Sequence, residues 1–266
     1  MTVLERKITK LVLADLIFVL LLMLSGAISE WSEPLYIIAF VLPAALLIFT
    51  ERRDADFSLR LSPAGAVATV ITAPLLIGGV FLISALTAAF FSLFGIRSEV
   101  DLSGNIALVI LEHAVLPAIL EELLFRYAPL RILGGMRRAN AVLLTALLFA
   151  LSHCNLLQLP YALFAGIIFA AVNILTGSIL PSLILHLLNN LVSIWWSLSL
   201  YETAPVPFFA VLGALAVLSL AVIFAKREDF KKKIFPIFAD LRLSVPPISV
   251  VVFIIATLAV SVAAAI

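Results

Sequence analysis

The chain has 266 residues, of which 64% are hydrophobic and 12% are charged, and its formal net charge is +1. Soluble domains carry about 25% charged residues, so the composition excludes an ordinary soluble protein, and the near-neutral charge gives no reason to expect nucleic acid as a partner. The apolar runs are too long for core strands and lack the two-residue alternation of a membrane barrel. We therefore expect an all-α fold, a polytopic transmembrane helical bundle.

Nine apolar segments are candidate membrane spans. The first follows a basic start without a clear cleavage site, which favours an uncleaved span over a signal peptide. The second is short, and the third is long enough to be tilted or broken at Gly78-Gly79, so eight spans are also possible. No internal repeat is visible, and we expect one transmembrane domain over residues 1–266. The segments are 11–28, 35–50, 64–94, 105–130, 139–157, 160–175, 178–200, 206–225 and 247–265.

Basic residues give the orientation, because loops on the cytoplasmic side are enriched in Lys and Arg. A cytoplasmic N-terminus places 15 of the 17 Lys and Arg residues inside, whereas Arg97 lies outside and Arg126 within a span. The loop 226–246 is expected to lie on the anionic inner leaflet. The inside residues are Arg6, Lys7, Lys10, Arg52, Arg53, Arg60, Arg131, Arg137, Arg138, Lys226, Arg227, Lys231, Lys232, Lys233 and Arg242; the outer acids are Glu30, Glu33, Glu99, Asp101 and Glu202.

Ionisable residues inside the apolar segments are the strongest functional signal. A charge near the bilayer centre costs at least about 2.5–3.5 kcal/mol, so such residues usually face a cavity or a partner. Asp15 is near the inner end of its span, where we expect it to snorkel or pair, and a structural role is expected for Glu112 and His113. The set is Asp15, Glu112, His113, Glu121, Glu122, Arg126, His153 and His186.

The carboxylates of Glu121 and Glu122 are expected to have different roles. Glu122 lies four residues before Arg126, the favourable order for a helical ion pair, so we expect this pair to be structural. Glu121 is offset by about 100° around the helix, which leaves it free for chemistry. Pro117 cannot donate a backbone hydrogen bond, so the helix is expected to kink and widen a cavity just before the carboxylates.

His153, His186 and Asn190 lie at depths that overlap with Glu121, so three helices could build one site. A carboxylate and a histidine can activate water to attack an amide, and Asn190 with His186 could donate to the developing oxyanion. Alternatively, Glu121, His153 and His186 could hold zinc with an open fourth position. The His-Glu-x-x-His motif of common metalloproteases is absent.

Three motifs in order resemble those of the CPBP family: Glu121-Glu122-x-x-x-Arg126, Phe149-x-x-x-His153 and His186-x-x-x-Asn190. This family includes the type II CAAX prenyl endopeptidases and the bacteriocin-processing or immunity proteins also called Abi. The resemblance covers about residues 121–190, within core helices at 105–200.

The resemblance implies an intramembrane endopeptidase for a membrane-anchored, hydrophobic or lipidated peptide. It implies a site lined by Glu121, His153, His186 and Asn190, with Glu122 and Arg126 in support. Descriptions of the family include both metalloproteases and glutamate-dependent enzymes. Because only two histidines fall within the motifs, we favour water activated by glutamate without a metal, and zinc remains possible. Membrane lipid is the expected surrounding partner, in the plasma membrane of a prokaryote.

Two other functions fit the same residues. A non-catalytic immunity or partner-binding protein could keep the scaffold, with the charges serving only to join helices. A transporter or proton relay could use the same buried carboxylates, although no inverted repeats or paired broken helices are visible.

Overall fold

The computed structural model describes residues 2–28, 32–51, 53, 55–97, 102–199, 206–239, 241 and 246–265. Within these ranges no β-strand forms, and the only bridge is an isolated one between Ser58 and Ser178. The predicted all-α class is confirmed. The described helices are α1 Val3–Ala27, α2 Ser32–Thr50, α3 Pro63–Ser92, α4 at 106–132, α5 Arg138–Ser152, α6 Leu159–Thr176, α7 Leu180–Ser199, α8 Val206–Ala225, α9 Arg227–Phe238 and α10 Ile248–Ala263.

Four described helices, α1, α3, α6 and α8, are long and apolar enough to cross a membrane. Helices α2, α5 and α10 are also apolar but shorter. Each of the nine predicted segments contains one helix, as hydropathy predicts for chains in lipid. The count of eight or nine spans and the orientation of the N-terminus remain predictions.

Helix α3 is continuous, so of the two alternatives for this long segment, a tilt or a break at Gly78-Gly79, the break does not occur. Ser62 caps its first turn by accepting from the Gly65 amide, and Pro63 stands at a first-turn position that needs no N–H donor. A Cβ atom added at Gly79 would lie 2.5 Å from the Phe164 ring of α6. This glycine therefore permits close packing of α3 against α6.

Helix α4 contains two π-helical turns, Leu111–Val115 and Leu123–Tyr127, separated by the α-helical segment Leu116–Glu122. The Leu116 amide donates to the Leu111 carbonyl, five residues back. The first π turn lies just before Pro117, so the predicted kink takes the form of a widened turn. Single π turns within α-helices are frequent at functional sites.

Helix α5 ends at Ser152, five residues before the predicted end at 157. His153 is its C-cap residue and Cys154 follows with a positive φ of 48°, which the interior of a right-handed helix does not allow. The Asn155 side chain then accepts from the Leu157 and Gln158 amides. His153 is therefore held at a helix end.

The predicted 226–246 loop is partly helical, because α9 occupies Arg227–Phe238. Lys231 lies 3.6 Å from Glu228 on its exposed side. Ile237 is buried on the other side, in a cluster with Val142 and Ala170. The segment is thus an amphipathic helix docked on α5 and α6.

Hydrogen bonds and an ion pair join the basic segments at one end of the bundle, which is called the basic end. Lys7 donates from Nζ to the Ile132 carbonyl at 3.1 Å, and the Ala55 amide donates to the Arg131 carbonyl at 3.1 Å. Lys10 pairs with Glu51. The N-terminus, the α2–α3 connection and the end of α4 therefore lie together.

Two further predictions concern single residues near the ends of helices. Asp15 does not snorkel: it is 2% exposed, and its Oδ2 atom has no hydrogen-bond partner in the described ranges. At the opposite end of the bundle, Trp195 and Trp196 pack on Phe208 of α8. The outer acids Glu30, Glu99, Asp101 and Glu202 lie outside the described residues, as does the side chain of Glu33.

Candidate active site

The adjacent carboxylates of α4 face different surroundings. Glu122 is 1% exposed, and its Oε1 atom lies 3.4 Å from Nη1 of Arg126. The side chain of Glu121 is 15% exposed and lines a cavity. The predicted pairing of Glu122 with Arg126 is confirmed, across a π turn that the sequence did not indicate.

Arg126 is a fully buried cation held by an anion and two aromatic faces. Its guanidinium carbon lies 3.9 Å from the ring centroid of Phe149 and 5.2 Å from that of Phe169. No nitrogen of this guanidinium has a well-aligned hydrogen-bond acceptor in the described residues. Its charge is therefore compensated by the Glu122 carboxylate and by the ring quadrupoles.

His186 lies between the two carboxylates. Its Nδ1 atom is 3.2 Å from Oε1 of Glu122, and its Nε2 atom is 3.5 Å from Oε2 of Glu121. The ring stacks on Phe169 at a centroid distance of 4.9 Å. Ser182, one turn earlier in α7, donates from Oγ to Oε2 of Glu122 at 2.5 Å. Glu122 thus fixes His186, which in turn contacts Glu121.

His153 has a defined tautomer, since its Nδ1 atom lies 2.7 Å from the Phe149 carbonyl oxygen. A carbonyl can only accept, so Nδ1 carries the proton and donates. In the neutral ring Nε2 is then an acceptor with an available lone pair. His153 lines the same cavity as Glu121.

Asn190 lies one turn after His186 in α7 and also lines the cavity. Its Oδ1 atom lies 3.5 Å from Nδ2 of Asn189, the neighbouring residue. This contact leaves the amide group of Asn190 able to donate to a molecule in the cavity.

The cavity has a volume of about 1370 Å³ and its walls come from α1 through α8. Its lining is mostly apolar, with the acidic and imidazole groups at one end and Phe81, Trp196 and Phe209 at the other. Tyr36 of α2 and Tyr161 of α6 also face it. A mostly apolar cavity with a few convergent polar groups is the usual form of a ligand site.

The described residues do not fit the zinc site that remained possible from the sequence. No group of three or more His, Cys, Asp or Glu side chains in the described ranges is arranged to hold a metal ion. Nδ1 of His186 lies 3.2 Å from the Glu122 carboxylate and Nε2 lies 3.5 Å from that of Glu121. The imidazole of His186 is thus engaged as a partner of the two carboxylates.

The structure brings Glu121, His153, His186 and Asn190 to one cavity, and it places Glu122 and Arg126 in the wall behind them. Glu112 and His113, expected to be structural, also line this cavity. Ser182 and Phe169 were missed. The signal for Ser182 was its position four residues before His186, on the same helical face.

Carboxylates and imidazoles thus converge at a mostly apolar cavity, in a bundle of which four described helices are long and apolar enough to cross a membrane. Residues 103–192 match the family model described as Type II CAAX prenyl endopeptidase Rce1-like. This segment is similar to that protease family, the resemblance that the three motifs predicted, and it contains every predicted site residue. The long apolar helices indicate an integral membrane protein. No curated protein and no solved structure matches the chain significantly.

Proposed function

We propose that the protein is an intramembrane endopeptidase that hydrolyses a peptide bond in a membrane-anchored or lipidated substrate. The observation that carries this proposal is the position of His186, between a buried carboxylate and one that faces the cavity. In this arrangement Glu122 and Ser182 orient the imidazole, and Glu121 remains available to a water molecule. The family match of residues 103–192 supports the same class of reaction.

The chemistry follows from the proton positions. Glu121 accepts the proton of a water molecule that Nε2 of His153 orients by accepting a hydrogen bond, and the resulting hydroxide attacks the carbonyl carbon. The Asn190 amide donates to the oxygen on which negative charge develops. When the C–N bond breaks, the proton held by Glu121 passes to the leaving amine, which restores the carboxylate.

His186 has a defined part in this proposal. When Nδ1 donates to Glu122, Nε2 faces Glu121 at 3.5 Å, and this contact is favourable only if one proton lies between the two groups. A proton on Nε2 would let His186 donate to the Glu121 carboxylate, which would direct one carboxylate oxygen at the imidazole and leave the other for water.

The test is cleavage of a hydrophobic or prenylated peptide library by the purified full-length protein in lipid nanodiscs. Glu121→Gln keeps the shape of the side chain and removes the base, so the rate should fall by about 10²–10⁴-fold. Glu228→Gln on the exposed face of α9 is the matched control and should cleave at the wild-type rate. Equal cleavage by Glu121→Gln would contradict the mechanism.

Metal removal separates the two mechanisms that the family description allows. Because Glu121 and His153 can activate water by themselves, dialysis against a chelator should leave the cleavage rate unchanged. A loss of activity that zinc restores would replace the glutamate–water mechanism with a metal-dependent one.

We also infer that the nine helices α1–α8 and α10 span the membrane, with the N-terminus in the cytoplasm. Two observations support this: each predicted span contains one helix, and the basic segments meet at one end of the bundle. Under this inference α9 lies on the cytoplasmic surface, where its lysines would meet anionic lipid.

A further inference from the structure

The cavity occupies only one half of the bundle. Most of its described lining falls in the half of each helix that is farther from the basic end, and Glu121 and His186 lie near the middle of their helices. Helix α3 begins at the basic end with Pro63, and its lining residues are at 78–88. Helix α7 begins there with Leu180, and its lining residues are at 186–197. The site is therefore at the bottom of the cavity, with the cavity extending away from the basic end.

Protein closes the space between the site and the basic end. The residues that follow Glu121 in α4 are packed, with Leu124 and Arg126 0% exposed and Phe125 2% exposed. Closer to the basic end, the Ser58 amide donates to the Gly177 carbonyl and Ser178 donates from Oγ to the Ser58 carbonyl. These bonds join the α2–α3 and α6–α7 connections, so no part of the described cavity opens there.

The distribution of charge identifies this closed end as cytoplasmic. The described basic segments meet at this end, and the positive-inside rule places loops rich in Lys and Arg in the cytoplasm. The opposite end holds Trp196 and Phe209 beside the cavity, as expected for an aromatic belt at a membrane surface. The open end of the cavity is therefore the non-cytoplasmic end.

In the sequence, the segments predicted to lie outside are acidic, with the five acids named above against the single Arg97. Among the described residues, Glu112 lines the cavity itself. Negative charge attracts cationic ligands and repels anionic ones. A mostly apolar cavity lined by Glu112, in a chain whose predicted outer segments are acidic, fits an apolar peptide segment with basic flanking residues.

We propose that the site takes its substrate from the non-cytoplasmic side of the membrane, as an apolar peptide segment flanked by Lys or Arg. That the occupant is cleaved rests on the proposed function, whereas the direction of entry rests on the cavity and the charge distribution alone. Exported or membrane-inserted chains that present such a segment at the outer surface are the matching substrate class.

Cysteine labelling tests the direction of entry. In a Cys154→Ala background, Ser197→Cys places a thiol in the open half of the cavity and Arg60→Cys places one at the basic end. A membrane-impermeant maleimide should label Ser197→Cys in right-side-out vesicles and Arg60→Cys only in inside-out vesicles. The reverse pattern, or labelling of Ser197→Cys from the basic side, would overturn the proposal.

Cleavage in the same sealed vesicles separates this proposal from the proposed function. A quenched fluorescent peptide with an apolar centre and Lys flanks should be cleaved when added to right-side-out vesicles, several-fold faster than its Glu-flanked counterpart at low salt. Cleavage only in inside-out vesicles, or equal rates for the two peptides, would overturn the proposal and leave the peptidase function standing. Outer labelling without cleavage on either side would instead overturn the peptidase function alone.

Discussion

Arg126 and Glu122 form a buried ion pair, and substitution of either residue would leave the charge of the other without a partner. The Arg126 guanidinium is 0% exposed and lies against the Phe149 ring. The Glu122 carboxylate also accepts a hydrogen bond from Ser182 and contacts Nδ1 of His186. Removing one member of a buried pair leaves the other charge uncompensated, at a cost of about 3–5 kcal/mol.

We therefore expect Arg126→Met to lower the free energy of unfolding by about 3–5 kcal/mol. The double variant Glu122→Gln/Arg126→Met should lose less than the sum of its two single variants, because no unpaired charge remains. Reversible unfolding in mixed micelles measures all three. Additive losses would mean that the two side chains are not coupled.

Ser182 acts on the site through Glu122. Ser182→Ala removes a donor to a buried carboxylate, so it should cost about 1–3 kcal/mol of stability and lower kcat by releasing His186. Ser261→Ala in α10 is the matched control, since Ser261 is also buried and donates to the Thr257 carbonyl of its own helix. If both variants lower kcat equally, the loss of a buried hydroxyl disturbs packing in general, and Ser182 does not act specifically through Glu122 and His186.

At the scale of elements, small residues set the distance between α5 and α6. A Cβ atom on Gly166 would lie 3.0 Å from Cα of Ala146 and 3.2 Å from Cδ1 of Phe149. Small residues at helix contacts in membranes allow the backbones to approach closely. Since Phe149 also covers Arg126 and holds His153, the spacing of these two helices determines the geometry of the site.

Gly166→Ala should therefore cost about 1–3 kcal/mol by overpacking, and it should lower cleavage by moving Phe149. Gly78→Ala in α3 is the control for stability, because an added Cβ there has no atom within 4 Å. That variant should keep or slightly raise the free energy of unfolding, since alanine favours a helix over glycine. If Gly78→Ala lowered the free energy of unfolding as much as Gly166→Ala, the packing argument would be contradicted.

Hydropathy predicted where the helices lie, because burying backbone in lipid requires long apolar segments. It could not show the π turns of α4 or the early end of α5. These features depend on single hydrogen bonds, such as that from Leu116 to Leu111, and on the local backbone at Cys154. The sequence left a helix break at Gly78-Gly79 open, because it does not show that the Phe164 ring packs against Gly79.

At the scale of the whole molecule, the sequence predicted that four candidate residues would meet at one place, but it did not predict what surrounds them. The spacing of Glu122 and Arg126 indicated their ion pair, and the ordered motifs gave His153, His186 and Asn190. The cavity brings distant segments together, including Tyr36 of α2 and Phe209 of α8, and no spacing rule predicts those contacts.

The domain at 103–192 does not contain all of this cavity, because α1, α2, α3 and α8 supply walls from outside it. We expect the isolated segment 103–192, reconstituted in nanodiscs, to lose cleavage of the peptide that the full chain cleaves. Co-expression with the remaining helices should restore part of the activity. Cleavage by the segment alone at the full rate would show that the outer walls are dispensable.

The burial of Arg126 also constrains the order in which the chain can assemble during synthesis. Its aromatic neighbours Phe149 and Phe169 belong to α5 and α6. The side chains that contact the Glu122 carboxylate, Ser182 and His186, belong to α7. All of them leave the ribosome after α4. Until then a cation in this helix would face lipid at a cost of several kcal/mol. Release of α4 from the insertion machinery into the bilayer should therefore wait for α7, about 60 residues later, so that the central helices enter the lipid as a group.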